Sequence, residues 1–464
     1  MIKAQEQQTN IVLVIIITYL MFLGGISSIG YNSDKLSSLI FTIFFGFISV
    51  LFLSLYAKQY IGKGYSLIYL LLAAFFIKIS TGVIHFLLLV QPDYFLTYSE
   101  PDFLSDYLWF HHFIKYIAEY HIDNGFWSLI PAENFLQERF NKSFFLAYFT
   151  SNLYYFSGAH FLNISIFNTL FSLYTSVIIG ILTLKITNNK QYAYNAVFLT
   201  AFQGFSMISS IMMRDIVGQF FITLAVFGMY SFRQNILRTI IFFPIAILLF
   251  FSQRNAYALV PVIAYIFYFV FFSNYIKKRS NRIAIIVLTL PVLLFMLQYL
   301  QVADRIDDYS KVEGFQAAFR LEYWFYIPFN ILKGLLGPFP WVQFFEFQPN
   351  TILQIADYYQ AIFNFALLIF IVPILKKKFR SNDINIILLT GLVLFFYGIL
   401  SGFLNSTYIN IGLIFLIPTV AHISLRYWYV YFTQILIVFL ILNSIYVGMG
   451  FYGTGLTDFL RANE

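Results

Sequence analysis

Residues 66–90 read SLIYLLLAAFFIKISTGVIHFLLLV, and Lys78 is the only charged side chain in this stretch. A helix needs about 20 mostly apolar residues to cross a bilayer, and this segment exceeds that length. The backbone must satisfy its own hydrogen bonds in lipid, and the outward alternation of a β-barrel is missing here. The segment therefore predicts a transmembrane helix. Because a charge within a span is costly, we expect Lys78 to be paired inside the bundle.

The rest of the chain has the same apolar character. Of its 464 residues, 60% are hydrophobic, 21% are aromatic and only 11% are charged, whereas a soluble domain carries roughly 25% charged residues. This composition excludes a soluble enzyme, a disordered protein and a nucleic-acid-binding domain. The chain has no cysteine, so disulfides and thiolate metal ligands are excluded as well.

We predict an all-α, polytopic transmembrane bundle of about 13 spans. The predicted spans lie at roughly 11–31, 39–57, 66–90, 165–185, 192–213, 216–232, 236–252, 255–274, 283–301, 352–375, 384–403, 409–425 and 428–449.

The basic residues of alternate connecting loops predict the orientation of the bundle. They are Lys3, Lys58, Lys63, Lys185, Lys190, Arg233, Arg238, Lys277, Lys278, Arg279, Arg282, Lys376, Lys377, Lys378, Arg380 and Arg426. These 16 of the 28 basic residues share their side with only two of the 21 acids, Glu6 and Asp383. By the positive-inside rule these loops and the N-terminus are cytoplasmic, and the C-terminus is outside. The net charge of +7 is thus topogenic and not a nucleic-acid patch.

Two polar stretches, 91–143 and 302–350, are predicted as large outer loops that carry amphipathic interfacial helices. In the first loop, apolar residues recur at three- and four-residue spacing over 102–120, which predicts a helix that ends at Asn124-Gly125. We expect its aromatic stripe to lie in the headgroup layer of the bilayer.

The apolar segment 144–162 is broken by polar residues, and we interpret it as an interfacial or re-entrant piece. A crossing here would by itself move the later basic loops to the outside. The alternative is therefore an ordinary span combined with one fewer span elsewhere among those predicted. We predict four parts of the chain. They are N-terminal spans (1–65), a central bundle (66–301) that includes the first outer loop (91–143), a second outer loop (302–350) and C-terminal spans (351–464).

Acidic residues gather just after the third predicted span, at Glu100, Asp102 and Asp106. One of these carboxylates is a candidate general base, because burial against aromatic side chains raises a carboxyl pKa towards a useful range. The alternative is that the acids cap and solvate a surface helix.

Arginines on the predicted outer face are candidate phosphate ligands, since the guanidinium group is always charged and binds phosphate in a bidentate way. Arg214 adjoins Asp215, and neighbours on a helix point apart, so we expect each to have another partner. Further candidates are Arg254, Arg305 and Arg320. Anchoring to lipid headgroups is the alternative for each arginine.

Histidines give a further candidate feature of the first outer loop. His111, His112 and His121 could support the acids or hold a divalent metal together with Asp102 or Asp106, although no HExxH spacing is present. His85 and His422 fall in predicted spans and are interpreted as packing residues.

The order of these features suggests a family. The span at 66–90 is followed by SEPDFLSDYLWFHHFIKYIAEY at 99–120. After it come FFLAYFTSNLYYFSGAHFLNISIFNTLFSLYTSVIIGILTLKI at 144–186 and a span that ends in MMRD at 212–215. Over roughly 66–260 this order resembles the integral-membrane glycosyltransferases of the GT-C type. It is also similar to bacterial polysaccharide repeat-unit polymerases of the O-antigen kind.

The resemblance implies that an acid in the first large outer loop is the catalytic base. The candidates here are Asp102 and Asp106, and Glu100 is a third candidate. The reaction would be inverting glycosyl transfer from a polyprenyl-phosphate or polyprenyl-pyrophosphate donor to an acceptor hydroxyl, with the arginines stabilising the departing phosphate. The expected partners are a polyprenyl-linked glycan donor, a glycan or lipid-linked acceptor and the lipid bilayer, with no nucleic acid. The expected location is the bacterial inner membrane, with the active face outward.

A lipid-linked oligosaccharide flippase or another secondary transporter is the alternative function. Such carriers place polar groups near the bilayer midplane and often contain inverted repeats and broken helices. The sequence has no clear internal repeat, and its acids cluster on one face, which favours the enzyme.

Overall fold

The computed structural model describes residues 2–30, 35–89, 106–126, 128, 144–210, 215–232, 246, 359–360, 362–364, 366–367, 369–370, 391 and 411–448. These residues are almost entirely helical and include no strand. The chain divides into two compact units. The first consists of Met1–Phe202 and Ser206–Ala258, and the second of Gln203–Phe205 and Leu259–Glu464.

The first half of the chain begins with three long helices, and the longest of the described helices that follow is Phe161–Thr187. In chain order the helices are α1 (Ile2–Ser27), α2 (Lys35–Ile61), α3 (Tyr65–Leu89), α4 (Asp106–Asn124), α5 (Phe144–Ser157), α6 (Phe161–Thr187), α7 (Lys190–Phe202), α8 (Gly204–Met207), a 3₁₀ turn at Ile208–Ser210 and α9 (Asp215–Phe232).

Three of the described helices are long and apolar enough to cross a membrane. Their apolar parts are Leu36–Ile61, Tyr65–Ile84 and Leu162–Thr187. Shorter apolar helices lie at Ile11–Ser27, Asp215–Gly228 and Ile411–Val420. These are features of an α-helical membrane protein. The second predicted outer loop and the predicted spans between α9 and residue 351 lie outside the described residues, apart from Ala246.

Helix α6 is the centre of the first unit. It packs against α2, α3, α5, α7 and α9, and its apolar window is buried along its whole length. Its buried hydroxyls are satisfied within the helix in several places. Thr169 donates to the Ser165 carbonyl at 2.8 Å, and Thr183 donates to the Ile179 carbonyl at 2.8 Å. Such back-bonding lets a helix carry serine and threonine through an apolar interior.

Side-chain contacts define the two ends of this unit. The rings of Phe220 and Phe171 lie 5.0 Å apart, and the Lys185 ammonium lies 4.4 Å from the centre of the Phe227 ring, so α9 runs parallel to α6. We call the end where α6 and α9 begin and α3 ends the loop end.

The opposite end carries the turns between α2 and α3 and between α6 and α7. A Cβ on Gly62 would lie 3.0 Å from the Lys190 side chain, which brings the two turns together. Lys58 and Lys185 lie in the last turns of α2 and α6, and Lys63 lies in the turn after α2. We call this end the basic end.

Large apolar side chains cover the outer surface of α1, α2 and α3. Leu20, Phe44, Tyr69 and Phe76 are all about half exposed or more. A surface of this kind is unfavourable in water and is suited to contact with lipid chains.

The structure differs from the continuous span predicted over 192–213. Helix α7 ends at Phe202, the chain bends at Gln203, and α8 and the 3₁₀ turn follow. Glycine at 204 and serines at 206, 209 and 210 weaken helical continuity, because glycine has low helix propensity and serine competes for backbone hydrogen bonds. The average hydropathy of the segment does not report this interruption.

The second unit is described mainly at its C-terminal end. It contains a 3₁₀ turn at Ile414–Leu416, α10 (Ile417–Val420) and α11 (Leu425–Gly448). Trp428 stacks on Phe363 with ring centres 5.7 Å apart and contacts Phe370 at 4.6 Å. His422, predicted as a packing residue, has an exposed side chain in the turn after α10, where its Nδ1 pairs with the Thr419 carbonyl at 3.0 Å.

Gly180 provides a test of the packing around α6. A Cβ at this position would lie 2.3 Å from Val197 Cγ2 and 3.2 Å from the Ala193 carbonyl oxygen. We expect Gly180→Ala to destabilise the protein by about 1–3 kcal/mol, because α7 must move away. The matched control is Gly24→Ala on α1, where no atom lies within 4 Å. It should be neutral or stabilising by up to about 1 kcal/mol. Thermal unfolding in detergent measures both variants, and equal stability of the two would contradict this packing.

Candidate functional site at the loop end

Helix α4 of the first predicted outer loop and helix α5, which follows that loop, form an antiparallel pair. His111 Nδ1 is hydrogen-bonded to the Tyr154 hydroxyl, and the tautomer of the histidine decides which group donates. Ten residues later, the His121 ring lies 5.2 Å from the ring of Tyr148. Since the residue numbers rise on α4 as they fall on α5, the two helices run in opposite directions.

The apolar face of α4 is buried against protein. Ile114, Ile117 and Ala118 are fully buried, and α4 packs on α5. This differs from the prediction that the stripe lies in lipid headgroups, because α5 supplies an apolar surface closer at hand. The other face carries an ion pair between Lys115 and Glu119 at 3.7 Å, with both side chains about half exposed. Exposed charges of this kind place the outer face of the pair away from hydrocarbon.

A buried polar junction attaches the end of α5 to the loop end. The Ser38 hydroxyl donates to the Ser157 carbonyl at 2.5 Å. The Asn163 amide donates to Ser38 Oγ at 2.8 Å and to Ser157 Oγ at 2.9 Å. Two turns before Ser157, Phe149 contacts Phe167 at 5.9 Å. Helix α5 therefore lies alongside the first turns of α6. Its 14 residues rise about 21 Å, less than a hydrocarbon core of about 30 Å, which supports the interfacial or re-entrant interpretation.

Two of the predicted acidic positions belong to the loop end. Asp106 is the first residue of α4, which begins one turn before His111, and Asp215 is the first residue of α9. Acids in the first turn of a helix are favoured by the helix dipole. Of the remaining predicted residues, the side chains of Asp106 and His112 and all of Glu100, Asp102, Arg214, Arg254, Arg305 and Arg320 lie outside the described residues.

Two of the histidines that were predicted to support the acids or to bind a metal, His111 and His121, lie at separate positions along α4. His111 joins α4 to α5 through Tyr154. It is ten residues from His121 on one helix, a rise of about 15 Å, so the two histidines do not ligate a single ion. Within the described part of the chain, no group of three metal-ligating side chains is present.

His121 is buried among aromatic side chains. Its ring lies 6.0 Å from Phe126 as well as close to Tyr148, and neither ring nitrogen has a hydrogen-bond partner among the described residues. Burial lowers the pKa of His121 below its ordinary value. The nearby backbone of Ser128 raises this pKa, but by less than burial lowers it. The neutral imidazole is thus the form that suits this position.

Lys78 has the buried polar partners that its position in a span predicts. Its ammonium lies 2.6 Å from Ser172 Oγ and 2.5 Å from Ser206 Oγ, and the two hydroxyls are 2.7 Å apart. Neither serine was predicted as a partner of Lys78. Ser165 and Ser172 are seven residues apart on α6 and share a helix face, which was the available signal.

Comparison with protein-family models, with curated proteins and with solved structures finds no match to this chain.

The burial of His121 predicts a pH-dependent contact between α4 and α5. The unfolded chain binds a proton more readily than the folded one. Stability should therefore be complete above the ordinary histidine pKa near 6.5 and should fall as the pH drops below it. Hydrogen exchange of α4 in purified protein at pH 7.5 and pH 5 measures the effect.

In His121→Phe, which keeps an aromatic ring in this site, the protection of α4 should depend much less on pH. His422→Gln changes an exposed histidine and should retain the wild-type behaviour. Identical pH profiles for the wild type and His121→Phe would contradict the assignment.

Proposed function

We propose that the protein is a membrane glycosyltransferase of bacterial cell-envelope polysaccharide biosynthesis, either transferring single sugars or polymerising repeat units. The donor is a sugar or oligosaccharide on polyprenyl phosphate or pyrophosphate, and the acceptor is a hydroxyl of a glycan or of a lipid-linked acceptor. The reaction takes place at the periplasmic face of the inner membrane.

The observation that carries this proposal is the arrangement of the loop end. Helix α4, which begins at Asp106, docks through α5 on the start of α6, and α9 begins at the same end with Asp215. A loop that folds into packed helices next to the membrane holds its residues in fixed positions. Catalysis requires such fixed placement of the groups that contact a substrate.

The separation of charge along the first unit supports an outward-facing site. Lys58, Lys63, Lys185 and Lys190 belong to the basic end, and by the positive-inside rule this end faces the cytoplasm. The loop end then faces the periplasm, where lipid-linked sugars are the available donors.

In the proposed reaction, one outer-loop carboxylate accepts the proton of the attacking acceptor hydroxyl. Asp106 and Asp102 are the candidates, followed by Glu100. The acceptor oxygen forms the new bond to the anomeric carbon while the bond to the lipid phosphate breaks. Arg214, together with Arg254, Arg305 and Arg320, is assigned to the departing phosphate, whose negative charge increases in the transition state.

Substitution of the acids and of one arginine tests this proposal. We expect Asp106→Asn or Asp102→Asn to lower glycan synthesis by about 10²–10⁴-fold, the usual contribution of a general base, if that residue is the base. Arg214→Ala should also lower synthesis strongly. Glycan length and amount in cells that express each variant at the wild-type level provide the measurement.

Asp123→Asn is the matched control, because Asp123 is an exposed acid near the other end of the same helix. It should leave glycan synthesis unchanged. Wild-type glycan in all three test variants would discard the catalytic assignment.

Transport of a lipid-linked oligosaccharide is a second candidate function, favoured by two observations. Lys78 is fully buried near the middle of α3, and the helix that begins at Lys190 is interrupted at Gln203. Polar groups at mid-depth and broken helices are common features of secondary transporters.

The leaflet in which lipid-linked repeat units accumulate distinguishes the two functions. In cells without the protein, loss of a periplasmic glycosyltransferase leaves these units in the outer leaflet, whereas loss of a flippase leaves them in the inner leaflet. Labelling by a membrane-impermeant lectin or oxidant detects the outer population. We expect the units to accumulate in the outer leaflet. Accumulation in the inner leaflet would contradict glycosyl transfer and support transport.

A further inference from the structure

Lys78 has a buried side-chain amine with no acidic partner among the described residues. Its side chain is fully buried, and its hydrogen-bond partners among the described residues are the neutral hydroxyls of Ser172 and Ser206. A buried ammonium is strongly unfavourable unless an anion and further hydrogen bonds compensate it. The two serine oxygens accept two of its three hydrogens, and one N–H remains without an acceptor in this part of the structure.

A second layer of unpartnered hydroxyls lies one helical turn from Lys78, towards the loop end. A Cβ on Gly82 would lie 3.0 Å from Ser210 Oγ and 3.2 Å from Ser165 Cβ, so these two serines meet α3 at the glycine. Both are almost completely buried, and neither hydroxyl has a hydrogen-bond partner among the described residues. We call Lys78, Ser172, Ser206, Ser165 and Ser210 the serine seam.

Several hydrogen-bond donors in the serine seam have no acceptor among the described residues. One hydroxyl of the Ser172 and Ser206 pair donates to the other. The hydrogen of the second hydroxyl then has no acceptor within the pair. Among the described residues, the hydroxyls of Ser165 and Ser210 have no partner, and two acceptors are present for the three hydrogens of the Lys78 ammonium. Buried polar groups are almost always paired, so several unsatisfied donors beside a lysine point to an additional group that has acceptor oxygens.

We propose that the serine seam binds a phosphate group, carried by a lipid or free in solution. A phosphate supplies the negative charge that Lys78 lacks and has enough oxygens to accept from the ammonium and from several hydroxyls. The unpartnered hydroxyls of Ser165 and Ser210 lie on the loop-end side of Lys78, so the proposed anion lies between Lys78 and the loop end. This proposal does not depend on glycosyl transfer.

Binding to the purified full-length protein tests the proposal directly. Inorganic phosphate is titrated against the protein in detergent, and a polyprenyl monophosphate against the protein in lipid nanodiscs, with thermal stability and equilibrium binding as readouts. A saturable response to either probe that requires Lys78 supports the site and identifies the source of the phosphate. Absence of a response to both probes overturns it.

Lys78→Met separates a binding role from a structural one. Methionine replaces the buried ammonium with an apolar side chain of similar length. The unliganded variant should therefore be at least as stable as the wild type. Its affinity for the phosphate probe should fall by about ten- to a hundred-fold, the effect of losing a charged hydrogen bond. An unchanged response would show that phosphate binds elsewhere, for example at the predicted arginines, and would overturn the proposal.

Ser210→Ala and Ser176→Ala form a matched pair that does not alter the charge. Ser176 is buried on α6 one turn beyond Ser172, and its hydroxyl donates to the Ser172 carbonyl at 2.9 Å. Ser210→Ala should weaken phosphate binding by about fivefold, the effect of one neutral hydrogen bond, whereas Ser176→Ala should not change it. Equal affinities in the two variants would remove Ser210 from the site and contradict the seam as defined here.

Discussion

The first unit depends on the complete burial of α6. A helix surrounded on all sides cannot send its polar groups to water or lipid headgroups, so these groups need to find partners within the protein or on a bound ligand. Thr169 and Thr183 do so through their own helix, and Asn163 does so through Ser38 and Ser157 at the loop end. The positions of α2 and α5 relative to α6 are thus specified by hydrogen bonds as well as by apolar packing.

Small residues allow the neighbouring helices to approach α6 closely. Gly180 accommodates Val197 from α7, and Gly82 accommodates Ser210 next to α6. Between membrane helices there is little hydrophobic driving force, because lipid chains are as apolar as leucine, and close packing carries more of the stability. The same closeness that brings the 3₁₀ turn against α3 also brings Ser206 within reach of Lys78.

The sequence was most informative where one physical requirement decides the outcome. Length and apolarity predicted α3 at 66–90, and the structure has it at Tyr65–Leu89. Gly125, with φ near +99°, follows the last residue of α4 as expected, because a left-handed backbone suits glycine. The interruption at Gln203 and the burial of Ile114 against α5 were not predicted. Both depend on which other segments pack nearby, and local hydropathy carries no information on that.

The candidate site shows the same division between local and long-range information. Composition and loop charges predicted that acids gather at one end, and Asp106 and Asp215 begin helices there. The serine seam could not be predicted in full, because it combines residues from α3, α6 and the segment after α7 that are far apart in sequence. Ser172 lies eleven residues from the start of α6, a rise of about 16 Å. Lys78 is therefore too deep to contact a reaction at the loop end, and any anion bound there serves a step distinct from proton transfer to an outer-loop carboxylate.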